Sequence, residues 1–272
     1  VETVPRRRLG PWVVIAPAVL LAALSAQRNE VWHNEKALWD DARMKAPLMV
    51  RPHVRMGVIH RAEGNSDAAE RAYAVALALD PAHAPAHNNS GNLPRDKGDS
   101  AAAAAAYRRA IVLLPGYVDA LTNLGTLLGD QGRFGEALPL FERALQYGGA
   151  RLEVLNNLGT AHMKMGNFNR AEAALRRGLG LGAPTPRLFF NLGGAREGQG
   201  RAAAAAAAYA QALAIDSTYA RAHYNLALLR DGEGNVASAM AGYRAFLRHW
   251  HGTVRFRAQA LDRLRVLAAG NR

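Results

Sequence analysis

The residues best suited to chemistry in this sequence are five asparagines, Asn89, Asn123, Asn157, Asn191 and Asn225, which follow one another at intervals of 34 residues. A carboxamide donates through its NH2 and accepts through its oxygen, so one side chain can satisfy either polar group of an extended peptide backbone. A row of such groups would hold a partner chain by its main chain, with little regard to that chain's sequence. The competing role is structural, with the amides solvated or bonded to a neighbouring helix. Arg55 stands where a sixth asparagine would begin the row.

Nothing else in the chain assembles a reactive constellation. The nine histidines are scattered; His53 and His87 recur at 34, but no pair has the His-Glu-x-x-His spacing that places two ligands on one helix face. His249 and His251 flank Trp250, and alternate helical residues point to different sides. Gly-x-Gly strings such as Gly198-Gln199-Gly200 follow no strand and read as turns, not as a phosphate loop. No nucleophile, base and orienting group can be placed together, so neither an enzyme nor a cofactor or metal site is expected. The absence of cysteine excludes disulfides, thiolate zinc sites and iron–sulfur ligation.

The asparagines ride on a repeat. Gly57, Gly91, Gly125, Gly159 and Gly193, then Ala227, keep the step of 34, as do Ala69 to Ala239 and the series Tyr73, Tyr107, Phe141, Leu175, Tyr209 and Tyr243. A period of this length predicts a helical solenoid in which each repeat contacts only its neighbours. Each repeat reads as a first helix of about fourteen residues, a turn, and a second helix carrying the Ala and aromatic positions. The small residue on the first helix lets the second approach, and the aromatic fills the gap against the next repeat. Gly64, Gly98, Gly132, Gly166, Gly200 and Gly234 suit helix ends that need positive φ. Pro81 and Pro115 close the first two repeats; Gly149, Ala183, Ser217 and His251 replace that proline later. Pro94 should stop or kink its helix near Gly91 to Leu93, because proline removes a backbone hydrogen bond. The runs Ala101–Ala106 and Ala202–Ala208 fall on second helices and need no further role.

This pattern resembles the tetratricopeptide repeat over about residues 48–252. The resemblance implies an all-α fold: a right-handed α-solenoid of about six helix pairs whose first helices line a concave groove. It places the asparagines, the sixth residue of each repeat, on the inner face, beside the acidic Asp119, Glu153 and Glu197, and it likens them to the asparagine ladder of some peptide-binding repeat proteins. The groove should work best between repeats three and six. Residues 253–272 are expected to form a C-terminal capping helix, with Val254, Ala258, Leu261, Leu264 and Leu267 on one side.

Ahead of the array, Arg6-Arg7-Arg8 precede an apolar run from Leu9 to Ala26. As a helix this run rises about 27 Å, enough to span a thin bilayer. Pro11 is harmless near a helix start, Pro17 would kink it, and Trp12 sits where an interfacial anchor belongs. Residues 1–26 are therefore expected to form one transmembrane helix with a basic flank; a secretory signal and a buried helix of a larger assembly are the competing readings. The arginine triplet would stay cytoplasmic and leave the array in the periplasm or a lumen, although Arg28 and Lys36 weaken that rule. Residues 27–47, with Trp32, Leu38 and Trp39 on one stripe, should form a juxtamembrane or capping helix ended by Pro47 and Pro52.

Arg28-Asn29, Trp32, Glu35 and Leu38-Trp39-Asp40 after an apolar helix also resemble the last membrane helix and juxtamembrane segment of TMTC-type membrane proteins. That resemblance implies a polytopic glycosyltransferase region upstream, implicated in O-mannosylation, with none of its site residues on this chain. Two functions follow as expectations. The first is a membrane-anchored scaffold for protein–protein interaction, an accessory subunit of a membrane-associated complex that holds a protein or extended peptide in the groove. The alternative is the C-terminal repeat region of such a glycosyltransferase, positioning acceptor polypeptide. The net charge of +12 is concentrated at the C-terminal end, where residues 221–272 carry nine arginines against Asp231, Glu233 and Asp262. No nucleic-acid recognition motif accompanies that charge, and nucleic acid is not an expected partner.

Overall fold

The computed structural model describes residues 19–20, 34–182 and 184–269, and the described residues contain fourteen helices and no strand. They fall into two compact bodies, residues 1–114 and 115–272. The first body holds α1 (Glu35–Lys45), α2 (Val50–Ala62), α3 (Ser66–Leu79), α4 (Ala84–Asp96) and α5 (Ser100–Leu113). The second holds α6 (Val118–Asp130), α7 (Phe134–Gly148), α8 (Leu152–Lys164), α9 (Phe168–Leu179), α10 (Pro186–Gly198), α11 (Ala202–Ile215), α12 (Ala220–Gly232), α13 (Val236–His249) and α14 (Val254–Ala269). Within each body consecutive helices pair tightly, and neighbouring pairs stack so that first helices also touch, α2 on α4 and α8 on α10.

The turn inside each pair is set by one glycine. Gly64, Gly98, Gly132, Gly166, Gly200 and Gly234 all have φ between 74° and 83°, as the sequence predicts. Each closes a Schellman turn: Asn65 N–H reaches His60 O at 2.8 Å, and Gly64 N–H reaches Arg61 O at 3.0 Å, satisfying carbonyls that the helix end leaves open. In three repeats the residue after the glycine also caps the second helix with its side chain: Asn65, Asp99 and Asn235 accept from Ala68, Ala102 and Ser238 N–H.

This turn overrides the expected effect of Pro94. Helix α4 does not stop near Gly91 to Leu93 but runs to Asp96 with Pro94 inside it. Pro94 lacks only its own N–H; its carbonyl still accepts from Asp99 N–H at 2.8 Å, so the turn at Gly98 fixes where the helix ends. Pro52 likewise does not terminate α1. That helix stops at Lys45, and Pro52 lies in the first turn of α2, where no N–H is missed.

Packing explains the small residues. A methyl on Gly159 would stand 2.6 Å from Leu175 Cγ, and one on Gly125 would stand 2.7 Å from the Phe141 ring. The large residue therefore lies over the glycine of its own repeat as well as facing the next: Tyr73 clusters with Ala86 and Leu93 of α4, and Leu175 with Leu188 and Leu192 of α10.

Two ends depart from simple pairing. α1 lies against α2, with Lys36 bonded to Glu63 at 2.8 Å, Glu35 paired with Arg55, and Trp39 under the guanidinium groups of Arg51 and Arg55 at 5.4 and 5.6 Å. At the other end α14 packs on α13 through only part of the expected stripe, its C-terminal Leu264 and Leu267, together with Ala260. Ala260 and Leu267 are buried and Leu264 is partly so, while Val254, Ala258 and Leu261 are exposed. The rotation is fixed by Phe256, whose ring sits against Tyr224 and Trp250, and by Arg263, which reaches Asp231. The expected membrane helix at residues 9–26 falls outside the described residues but for Val19 and Leu20. Among the described residues no helix is long and apolar enough to cross a membrane.

Candidate functional site

All five asparagines are half-buried on first helices, Asn89 in the first body and the other four in the second. Asn89 accepts from the Asn88 amide at 3.2 Å. Three of the asparagines in the second body are tied to the preceding repeat. Asn157 Nδ2 donates to Thr126 Oγ1 at 3.1 Å, and Asn191 Nδ2 donates to Asn156 Oδ1 at 2.8 Å and Thr160 Oγ1 at 3.3 Å. Asn225 Nδ2 donates to the Tyr209 hydroxyl at 3.1 Å, and that hydroxyl in turn donates to Glu197 Oε2 at 2.6 Å. Burial and the Glu197 carboxylate raise the Tyr209 pKa, so its hydroxyl keeps its proton and stays a donor at neutral and mildly alkaline pH.

The donor ends are thus used between helices. The side-chain oxygens of Asn157, Asn191 and Asn225 accept no hydrogen bond among the described residues. Each of these three amides is held through its donor by the repeat before it. Two of the three border cavities. Asn157 lines one of about 230 Å³ with Thr126, Thr160, Lys164 and Arg187. Asn225 lines one of about 300 Å³ with Arg221 and aromatic rings.

Of the acidic residues expected on the same face, Asp119 pairs with Arg151 at 2.7 Å and Glu197 is taken up by Tyr209; Glu153 is exposed. Three of the histidines have a structural role. His53, His87 and His223 donate to the carbonyls of Pro47, Pro81 and Ser217, each six residues back, at 2.8 to 2.9 Å, and so brace the start of a first helix. No group of three or more His, Asp or Glu that could hold a metal occurs among the described residues.

Residues that the sequence reading passed over hold the repeats in register. Glu172 on α9 is buried and accepts from Arg196 at 3.0 Å, Gln199 at 3.1 Å and Arg201 at 2.9 Å. Burial alone would raise its pKa, but the hydrogen bonds from Arg196 and Gln199 and the charge of Arg201 hold it below the usual carboxylate range. The period does carry a signal for this: Glu70 and Lys97 stand in the corresponding places of the first two repeats and approach to 4.0 Å.

Paired helices, glycine-closed turns and a polar row on the first helices define a tetratricopeptide-type protein. Residues 54–118 and 128–188 each match a tetratricopeptide-repeat family model, so the chain carries tetratricopeptide repeats. Solved structures agree in fold. A chain of the Cut9–Hcn1 hetero-tetramer of the APC/C superposes with a TM-score of 0.71 at 19% identity over 89% of this chain, which spans 46% of that one. PilF of Pseudomonas aeruginosa gives 0.69 at 20% identity, covering 81% of this chain and 99% of its own. YrrB, described as a TPR protein with an unusual peptide-binding site, gives 0.58 at 21% identity over 71% of this chain and 98% of its own. No curated protein matches the chain.

Proposed function

We propose that this protein is a scaffold that binds an extended segment of a protein partner along the first helices of the second body, with no catalysis of its own. One observation carries the reading: the oxygens of Asn157, Asn191 and Asn225 are left as acceptors by amides whose donors are already held. Amide groups fixed in this way need no reordering to meet the N–H groups of a strand-like partner, which lowers the entropic cost of binding. The asparagines therefore act as a ladder of acceptors, narrower than the two-way pairing expected from composition. The peptide-binding site named for YrrB, a protein of the same fold, supports the reading.

Residues 27–47 and 253–272 close the ends of the array at 48–252 in this proposal. Residues 9–26 supply a membrane tether, with the repeats on the extracytoplasmic side of a membrane complex; this part rests on the basic triplet and the apolar run alone. Alkaline washing of membranes tests the tether, and release of the protein into the supernatant would end that part of the proposal. The glycosyltransferase alternative rests on residues 28–40, and the coding sequence upstream of Val1 decides it by showing or lacking further apolar spans.

The groove itself is tested by panning a random nonapeptide display library on the full chain. We expect enriched peptides to bind the triple variant N157A/N191A/N225A at least tenfold more weakly, with unchanged helix content. Equal binding by the folded triple variant would remove the asparagines from the site.

A further inference from the structure

We propose that the α12–α14 end of this face reads one side chain of the partner segment: an aromatic residue with a carboxylate beside it. The inference rests on the peptide-holding reading above and adds the chemistry of the partner.

Four rings there form a closed cycle. Ring centroids lie 5.0 Å apart for Tyr224 and Phe246, 5.2 Å for Phe246 and Trp250, 5.8 Å for Trp250 and Phe256, and 5.6 Å for Phe256 and Tyr224. They border the cavity of about 300 Å³ that also meets Arg221 and Asn225. That volume is at the small end for ligand sites and suits one ring rather than a cofactor. The four rings meet one another edge-to-face or tilted, and a guest ring would add one more aromatic contact of the kind such rings favour.

A cycle of aromatic rings is also the form that holds quaternary ammonium groups. Charge decides against that occupant here. Arg221 stands on the rim, exposed, and Arg187 holds the same place one repeat earlier; neither has an ion pair among the described residues. Arg255 and Arg257 open α14 beside Phe256, and the nearby Asp231 is neutralised by Arg263 at 2.7 Å. In the two preceding repeats the same place holds the acids Asp119 and Glu153. Asp119 is already paired with Arg151, so the place is occupied by an ion-paired acid, an exposed acid and then, as the cavity is approached, two arginines without ion pairs among the described residues. A guanidinium on the rim gives a carboxylate beside the guest ring a two-point partner, and it repels a cation.

The test uses three fluorescein-labelled nonapeptides with an Ala/Ser background: a central Phe flanked by Asp, the same Phe flanked by Lys, and Ala flanked by Asp. Anisotropy on the full chain should show the Asp–Phe–Asp peptide binding at least tenfold more tightly than either control. R221E should reverse the preference between the Asp and Lys peptides. F256A, which removes a ring that is 43% exposed but also seats α14 on Tyr224 and Trp250, should weaken the Phe peptides tenfold and leave the Ala peptide unchanged, with unchanged helix content as the check that α14 stays in place. Equal binding of the three peptides, or a preference that survives R221E, would overturn the pocket proposal. If such equal binding still depended on Asn157, Asn191 and Asn225, the backbone-holding function would stand without it; if no peptide bound, both would fall.

Discussion

Ala227 and Gly242 have exchanged the sizes found in the other repeats. A methyl on Gly242 would stand 2.8 Å from Ala227 Cβ and 3.3 Å from its Cα. In the preceding repeat the small residue is Gly193 on the first helix, and Ala208 occupies the place of Gly242. The close approach of paired helices is kept, and only the side supplying the space has changed. Gly242→Ala should therefore destabilise the protein by about 1–3 kcal/mol through overpacking, less up to ~1 kcal/mol regained from helix propensity. Adding Ala227→Gly should restore most of the loss. A double-mutant cycle by urea unfolding reads the coupling, and strictly additive effects would contradict this account.

Glu172 anchors the α9–α10 contact. Glu172→Ala leaves the Arg196 guanidinium, only 20% exposed, without its carboxylate, and should cost about 2–4 kcal/mol. Glu172→Gln keeps the shape and part of the hydrogen bonding and should cost less. Hydrogen exchange should place the increased opening in Pro186–Gly198; a uniform change across the second body would show that Glu172 is not the local tie.

Asp231 fastens the last helix. Bonds of 2.8 and 2.7 Å from Arg263, with one of 3.1 Å from the Tyr243 hydroxyl, hold its carboxyl below the usual range. A carboxylate whose native pKa is depressed contributes stability above its unfolded pKa of roughly 4 and loses it as the pH falls through the native value. Amide exchange in Val254–Ala269 should accelerate in that acid window before the rest of the body opens. In Asp231→Asn the helix should be loosened at neutral pH by about 1 kcal/mol, since Arg263 is 44% exposed. The variant should also show no further acid step at this helix.

His162 is buried, and its Nδ1 has no partner among the described residues. Burial, with the charge of Arg170, lowers its pKa, so the neutral ring is the native form. Stability from this residue is present above its unfolded pKa of roughly 6.5 and falls as the pH drops below it. His162→Leu removes the unsatisfied nitrogen and should stabilise by about 1 kcal/mol at neutral pH, a rise of about 2–4 °C in Tm. It should also flatten the loss of stability between pH 6.5 and the native pKa. A lower Tm would show that the imidazole has a partner worth more than its burial.

The repeat made the helices, their turns and their small-residue contacts legible before any coordinates. Glycine at φ near 75° and a side chain seated on Gly159 follow from residue type and period, because both constraints are local to one helix pair. Pro94 misled because its effect depends on position: two residues before the last helical residue, Asp96, its carbonyl is still used and the turn at Gly98 prevails. The α14 stripe misled because several apolar spacings fit one helix, and only Phe256 and Arg263 meeting Tyr224, Trp250 and Asp231 choose the rotation.

The sequence by itself determined that the chain repeats every 34 residues as helix pairs and that five amides share one place in that repeat. It could not say which end of Asn157, Asn191 or Asn225 the neighbouring repeat takes up. That was decided by Thr126, Thr160, Asn156 and Tyr209, each roughly a repeat or half a repeat away, which engage the NH2 groups of Asn157, Asn191 and Asn225 and leave their oxygens. Hydrogen bonds between stacked helices depend on how one repeat is set against the next, and no single repeat encodes that.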